Sequence, residues 1–152
     1  MRYFFILLLC TSVWNIHGQT RSAVGLGYFF NDQSGTHREI NLRVMVYKTF
    51  FVQSSFSTGF DGINILRLGV GTQLWRKEKF ALLTTVRIVN EKFRGRGNSI
   101  LSRWNIELPI EGNYDLGNNF HLYGSIIPTY NSNENSESIF LMHFNIGAGY
   151  SF

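Results

Sequence analysis

Phe140-Leu141-Met142-His143-Phe144-Asn145-Ile146-Gly147-Ala148-Gly149-Tyr150-Ser151-Phe152 closes the chain. Side chains alternate across an extended strand, so Phe140, Met142, Phe144, Ile146, Ala148, Tyr150 and Phe152 share one face. Leu141, His143, Asn145, Gly147, Gly149 and Ser151 share the other. A strand of this kind separates an apolar environment from a polar or crowded one. The rest of the fold reading turns on which environment is inside.

The same period of two runs back through the chain. Ile40 to Val46 alternates, with Asn41 and Arg43 on its polar face, and Leu66 to Leu74 does likewise with Arg67 and Gln73. In Ile100 to Leu108, Trp104, Ile106 and Leu108 alternate with Arg103, Asn105 and Glu107. The pattern predicts strands near 20–30, 38–48, 50–60, 63–75, 80–91, 99–111, 119–130 and 139–152. Turn signals separate them: Asn31 to Gly35, Lys48-Thr49, Asp61-Gly62, Arg76 to Lys79, Arg94 to Asn98, Asn113 to Asn118 and Asn131 to Ser138. Eight strands joined by short turns, with no helix left to cover a sheet, make an antiparallel up-and-down meander. The expected fold class is all-β, an eight-stranded antiparallel up-and-down transmembrane β-barrel.

Composition agrees. A chain of 152 residues has room for one domain, and 15 Gly, 14 Phe and 7 Tyr against 2 Pro suit short strands and not disorder. The net charge of +4 is spread along the chain, which gives no basic block for nucleic acid. Met1-Arg2, the apolar run Tyr3 to Cys10 and the small Gly18 read as a signal peptide over residues 1–18, leaving a barrel domain over 19–152. Removing it takes away Cys10, the one cysteine, so the mature chain has no disulfide or thiolate chemistry. Leu9 stands before Cys10 where a lipoprotein wants a small residue.

A soluble barrel keeps its apolar face inside, and a membrane barrel reverses that arrangement. If the apolar faces here pointed inward, some ten aromatic rings would overpack so narrow an interior. The inverted arrangement puts Glu39, Arg43, Arg67, Arg87, Glu91, Arg103, Asn105, Glu107 and His143 in the lumen as a polar network. Inward glycines at 25, 27, 69, 71, 147 and 149 make room for Arg and Tyr side chains. Tyr47, Phe50, Trp75, Phe80, Phe120, Tyr150 and Phe152 then gather at one rim. Tyr28, Phe30, Phe60, Trp104, Tyr130 and Phe140 lie toward the other, as two aromatic girdles would.

On these residues the chain resembles the small bacterial outer-membrane barrels of the OmpA/OmpX type. Phe144, Ile146, Ala148, Tyr150 and Phe152 look like the C-terminal signal read by the barrel-assembly machinery. The resemblance implies a Gram-negative outer-membrane location after signal-peptide cleavage. It says nothing specific about activity, because one fold hosts many tasks.

The sequence offers little for catalysis. His17, His37, His121 and His143 have no metal-ligand spacing, and no cofactor motif is present. An outer-membrane lipid A deacylase would use a His-x-Ser-Asn core, but His143-Phe144-Asn145 places Asn145 where the nucleophile belongs. Lys92, Arg94 and Arg96, around Phe93, are candidate contacts for lipopolysaccharide phosphates. Glu107 is expected to partner inward arginines, Arg103 on its own strand and Arg87 across the hairpin. The leading expectation is a non-enzymatic barrel with a structural, protective or accessory-subunit role, meeting lipid, lipopolysaccharide and a larger membrane complex. A narrow anion-selective channel and a lipid-modifying enzyme are the alternatives.

Overall fold

The computed structural model describes residues 21–31, 35–59, 62–94, 100–131 and 140–152. The signal-peptide reading and Phe60 fall outside these. The strands are β1 (Ala23–Asn31), β2 (Gly35–Tyr47), β3 (Phe50–Gly59), β4 (Asn64–Lys77), β5 (Phe80–Arg94), β6 (Ile100–Glu107), β7 (Ile110–Gly117), β8 (Phe120–Asn131) and β9 (Phe140–Ser151). Every pairing is antiparallel, and β9 returns to β1, closing the sheet. β6 and β7 are two halves of one stave, since β5 and β8 each pair with both. The closed sheet therefore has eight staves.

The break at Leu108-Pro109 has a local cause. Pro109 has no N–H for the ladder, but its carbonyl accepts from Thr85 N at 3.2 Å and from Thr84 Oγ1 at 3.1 Å. Leu108 N donates to Pro128 O at 2.9 Å. The stave thus runs on to Gly117, which corrects the expectation of a strand ending at 111 and a turn over 113–118. Glu111 and Asn113 are wall residues facing inward.

Closure fixes the barrel's width. Direct partners lead from Ala23 to Arg43, Gln53, Gly69, Arg87, Glu107, Thr129 and Leu141. Ala23's partner across the closing seam is Ser151, so one circuit slips the register by ten residues. Eight strands with such a stagger tilt steeply, in the range of roughly 35–45° common to these barrels. The interior is just wide enough to be filled by side chains.

At the end that holds Arg21 and Phe152, three turns share a plan. Tyr47 pairs with Phe50, Lys77 with Phe80 and Gly117 with Phe120 around two-residue connections. Lys48, Glu78, Asn118 and Asn119 take positive φ there. A register shift precedes each turn, at Met45/Tyr47, Gln73/Trp75 and Asp115/Gly117. A bulge inserts one residue and so exchanges the faces of the strand beyond it. Strict alternation from Gln73 would turn Trp75 inward, whereas the bulge turns it out. We refer to this as the turn end, and to the opposite end as the loop end.

The outer wall is apolar. Leu26, Ile40, Leu42, Val44, Leu66, Leu68, Val70, Val86, Ile88, Leu122 and Ile126 face out, with aromatic rings above and below. From Phe120 to Tyr130 a strand rising about 3.3 Å per residue covers about 33 Å, or about 25 Å along a tilted barrel's axis. That is the height of an apolar band in this architecture.

Inside, glycines are sockets for rings. Tyr123 lies over Gly25, Gly27 and Gly147, where an added Cβ would run into its ring or hydroxyl. Phe51 fills the space over Gly71, and Arg87 that over Gly69. Gly147→Ala would press on Tyr123 and on the Leu26 carbonyl across the closing seam. Overpacking of this kind costs about 1–3 kcal/mol. The denaturant midpoint of the folded barrel should fall accordingly, and an unchanged midpoint would contradict the socket.

Candidate functional site

Arg67, on β4, is the centre of the lumen and is wholly inaccessible to solvent. Its Nη1 donates to Glu39 Oε2 at 3.1 Å and to Ser57 Oγ at 2.5 Å. Its Nε donates to both oxygens of Glu107, at 3.2 and 3.3 Å. The guanidinium lies 3.9 Å from the centroid of the Phe29 ring. A planar fork that bonds several oxygens and stacks on a ring suits this place, where a lysine would not.

Each acid then takes a second partner. Glu107 Oε2 accepts from Arg87 Nη2 at 2.7 Å, and Glu39 Oε1 accepts from Asn145 Nδ2 at 2.5 Å. Ser57 Oγ donates to Glu39 Oε2 at 3.0 Å. Six strands thus meet at one neutral cluster of two arginines and two glutamates.

A second cluster lies toward the turn end. Arg43 pairs with Glu111, which also accepts from Asn113 Nδ2 at 2.7 Å. The Arg43 guanidinium sits 4.9 Å from the Phe51 ring centroid. Asn41 Nδ2 donates to the Tyr123 hydroxyl at 2.6 Å, and Thr85 Oγ1 to Gln53 Oε1 at 3.2 Å.

Toward the loop end Phe29, Ile65, Val89 and Ile127 meet in a solvent-free layer, with Ile63 packed against it. His37 and His143 stand edge-on to the Phe29 ring, and His143 Nδ1 is 3.1 Å from Thr129 Oγ1. Beyond the layer, Arg103 Nη2 and Nε donate to Glu91 Oε2 at 2.5 and 3.0 Å.

The predicted lumen residues Glu39, Arg43, Arg67, Arg87, Glu91, Asn105, Glu107 and His143 are all buried, and Arg103 is nearly so. Their pairing differs from expectation in one respect. Arg103 pairs with Glu91, its direct partner across the hairpin, while Glu107 pairs with Arg87 and Arg67. Residues four apart on one strand share a face but lie about 13 Å apart, so Arg103 is out of reach of Glu107. Glu111 and Asn113 were not foreseen as lumen residues. The alternation of Ile110, Tyr114 and Leu116 with Glu111, Asn113 and Asp115 was the signal that could have found them. With Glu111 counted, four lumen arginines face four glutamates among the described residues.

Other predicted positions are on the outside. Phe144, Ile146, Ala148, Tyr150 and Phe152 all face outward on β9 or just beyond it. Lys92 is exposed near the loop end, Arg94 ends β5, and Arg96 lies outside the described residues. Chemically, the lumen offers charge neutralisation and closure. Among the described residues, no three His, Cys, Asp or Glu side chains are grouped to hold a metal ion.

Breaking a buried pair by removing one partner costs roughly 3–5 kcal/mol, because the other charge is stranded. Glu107→Gln strands Arg87 and leaves Arg67 with Glu39 as its one carboxylate, and should lower stability by that amount. Glu91→Gln affects a pair whose arginine side chain is 18% exposed, so water takes up part of the stranded charge and the loss should be smaller. Unfolding both variants in denaturant checks the order, and equal losses would contradict it.

No protein-family profile and no curated protein sequence matches the chain. Solved structures do match. The N-terminal β-barrel domain of Pseudomonas aeruginosa OprF superposes with a TM-score of 0.73 at 9% identity, over 90% of this chain and 100% of that one. A de novo designed transmembrane β-barrel gives 0.60 at 16% identity, over 90% and 98%. Ail, the attachment invasion locus protein of Yersinia pestis, gives 0.55 at 16%, over 89% and 100%. The fold is that of the small eight-stranded outer-membrane β-barrels.

Proposed function

We propose that this protein is an integral outer-membrane barrel, non-enzymatic and non-conducting, with a structural, protective or accessory-subunit role. One observation carries the reading: the wall is apolar outside and edged with aromatic rings, while the charges inside neutralise one another. A water-filled pore would leave its arginines hydrated. Here Arg67, Glu39 and Glu107 are dry, and the layer of Phe29, Ile65, Val89 and Ile127 lies across the same lumen. The anion-channel alternative is disfavoured on that ground. An enzyme acting on lipid would need its catalytic group on the outer face or at a rim, whereas His143 is inside against Thr129 and Phe29.

On this reading residues 1–18 are a cleaved signal peptide, and the turn end faces the periplasm. The loop end, where Lys92 and Arg94 lie, meets lipopolysaccharide, and Arg96 of the following sequence is a candidate contact with them. The outward series from Phe144 to Phe152 serves the barrel-assembly machinery. The purified protein in a planar lipid bilayer should produce no resolvable single-channel steps at 1 M salt, and steady, anion-selective steps would overturn the sealed-lumen reading. Deleting Phe152 should impair insertion without stopping export, read as loss of the heat-modifiable folded band on gels. A normal folded band and yield would count against the assembly signal.

A further inference from the structure

One charge is set into the apolar outer wall. Arg38 is exposed on the outer face of β2, and Ile40, Leu42 and Val44 follow it on that face toward the turns. Its direct partners are Tyr28 on β1 and Thr58 on β3, both outward as well. From Tyr47 at the turn-end girdle, β2 rises about 30 Å to Arg38, or about 23 Å along the tilted axis. The apolar band of this architecture is about 25 Å tall, so Arg38 stands just inside its far edge. A charge at that level is tolerated when the long side chain carries it up to an anionic or hydrated layer.

The wall beside Arg38 is concave. A groove of about 570 Å³ crosses β9, β1, β2 and β3 on the outer face. Two registers of direct partners form it. Ile146, Tyr28, Arg38 and Thr58 make the one nearer the loop end, and Ala148, Leu26, Ile40 and Phe56 the one below. The floor is backbone at Gly27, Glu39 and Gly147, since the Glu39 side chain turns into the lumen. Ala148 is the shallow point of the lower register. The groove is thus apolar along its length and cationic at one edge, which is the pattern of a seat for an acidic amphiphile.

We propose that this groove holds an acyl chain of the lipid anchor of lipopolysaccharide, with a phosphate of its headgroup on Arg38. The proposal rests on the reading that the loop end faces the outer leaflet, and it moves the specific contact from the loops to the wall. What Arg38 supplies is its charge at this height, beside a groove that fits a chain. It has an interaction within the protein as well, and no idle donor is required of it. Tyr28 and Thr58, one strand away on either side, add hydroxyl groups for the headgroup's oxygens.

Native mass spectrometry tests the seat, using the purified barrel in an uncharged maltoside detergent. The probes are lipid A, dephosphorylated lipid A and phosphatidylglycerol. Lipid A should be retained one-to-one and more tightly than the other two. Arg38→Gln should weaken lipid A about tenfold and leave the dephosphorylated form unchanged. Ala148→Leu fills the shallow point and should weaken both forms. Lys48→Gln, which removes a charge at the turn end where Lys48 lies over the Tyr47 ring, should change neither. Equal retention of lipid A by the wild type and Arg38→Gln would overturn the site, as would phosphatidylglycerol binding as tightly as lipid A. Heat-modifiable migration confirms that each variant is folded. The leaflet is tested separately, by labelling Thr36→Cys on intact cells with a membrane-impermeant maleimide. Labelling supports the outer position. Its absence would overturn the orientation and with it the lipid's identity, whereas lost dependence on Arg38 overturns the seat alone.

Discussion

Charge inside a closed eight-stranded barrel has no water to fall back on, and the rest of the structure follows from that. Each buried arginine must find a carboxylate, and each carboxylate must find donors for both oxygens. Arg67 meets this demand from the middle, where its fork reaches Glu39 and Glu107 and its face rests on Phe29. Because Glu39, Ser57, Glu107 and Asn145 come from four other strands, the cluster also fixes how those strands stand relative to one another. Buried ion pairs seldom add much net stability over apolar packing. In a barrel whose outer face makes only weakly directional contacts, they can select one register among several.

Width is the companion constraint. A ten-residue stagger over eight staves leaves a lumen that side chains must fill without colliding. Large inward groups are accordingly set against glycines: Tyr123 over three of them, Phe51 and Arg87 over one each. The layer of Phe29, Ile65, Val89 and Ile127 fills the section nearer the loop end, and Arg43 with Glu111 the section nearer the turns. Polar clusters and the apolar layer together leave the interior dry through its middle.

Much of this was legible in the alternation alone. Period two in Phe140 to Phe152 and in Ile100 to Leu108 identified strands, and the volume of their aromatic rings decided which face was outside. Three features were hidden, each for a physical reason. Gly112 and the Asn-rich run after it look like a turn, but Gly112 is a wall residue whose missing side chain makes room for the Phe80 ring. That resemblance concealed Glu111 and Asn113, and with them the partner of Arg43. The bulges before the three turns change the face of the residues beyond them, which no simple count along a strand reveals. Pairing was the third. The stagger places Arg67 of β4 against Glu39 of β2 and Glu107 of β6, and stagger is a property of the closed sheet and not of any single strand.

The central claim is that the apolar wall faces lipid and the charged wall faces inward. Trp75, outward at the turn end, and Trp104, outward toward the loop end, report on it directly. Fluorescence of the reconstituted barrel would be quenched by lipids brominated at defined acyl positions, with Trp75→Phe and Trp104→Phe variants separating the two signals. Both tryptophans should be quenched most by bromines near the headgroups, less by bromines at the bilayer centre, and little by aqueous iodide. Strong iodide quenching of both, with no response to brominated lipid, would contradict the account.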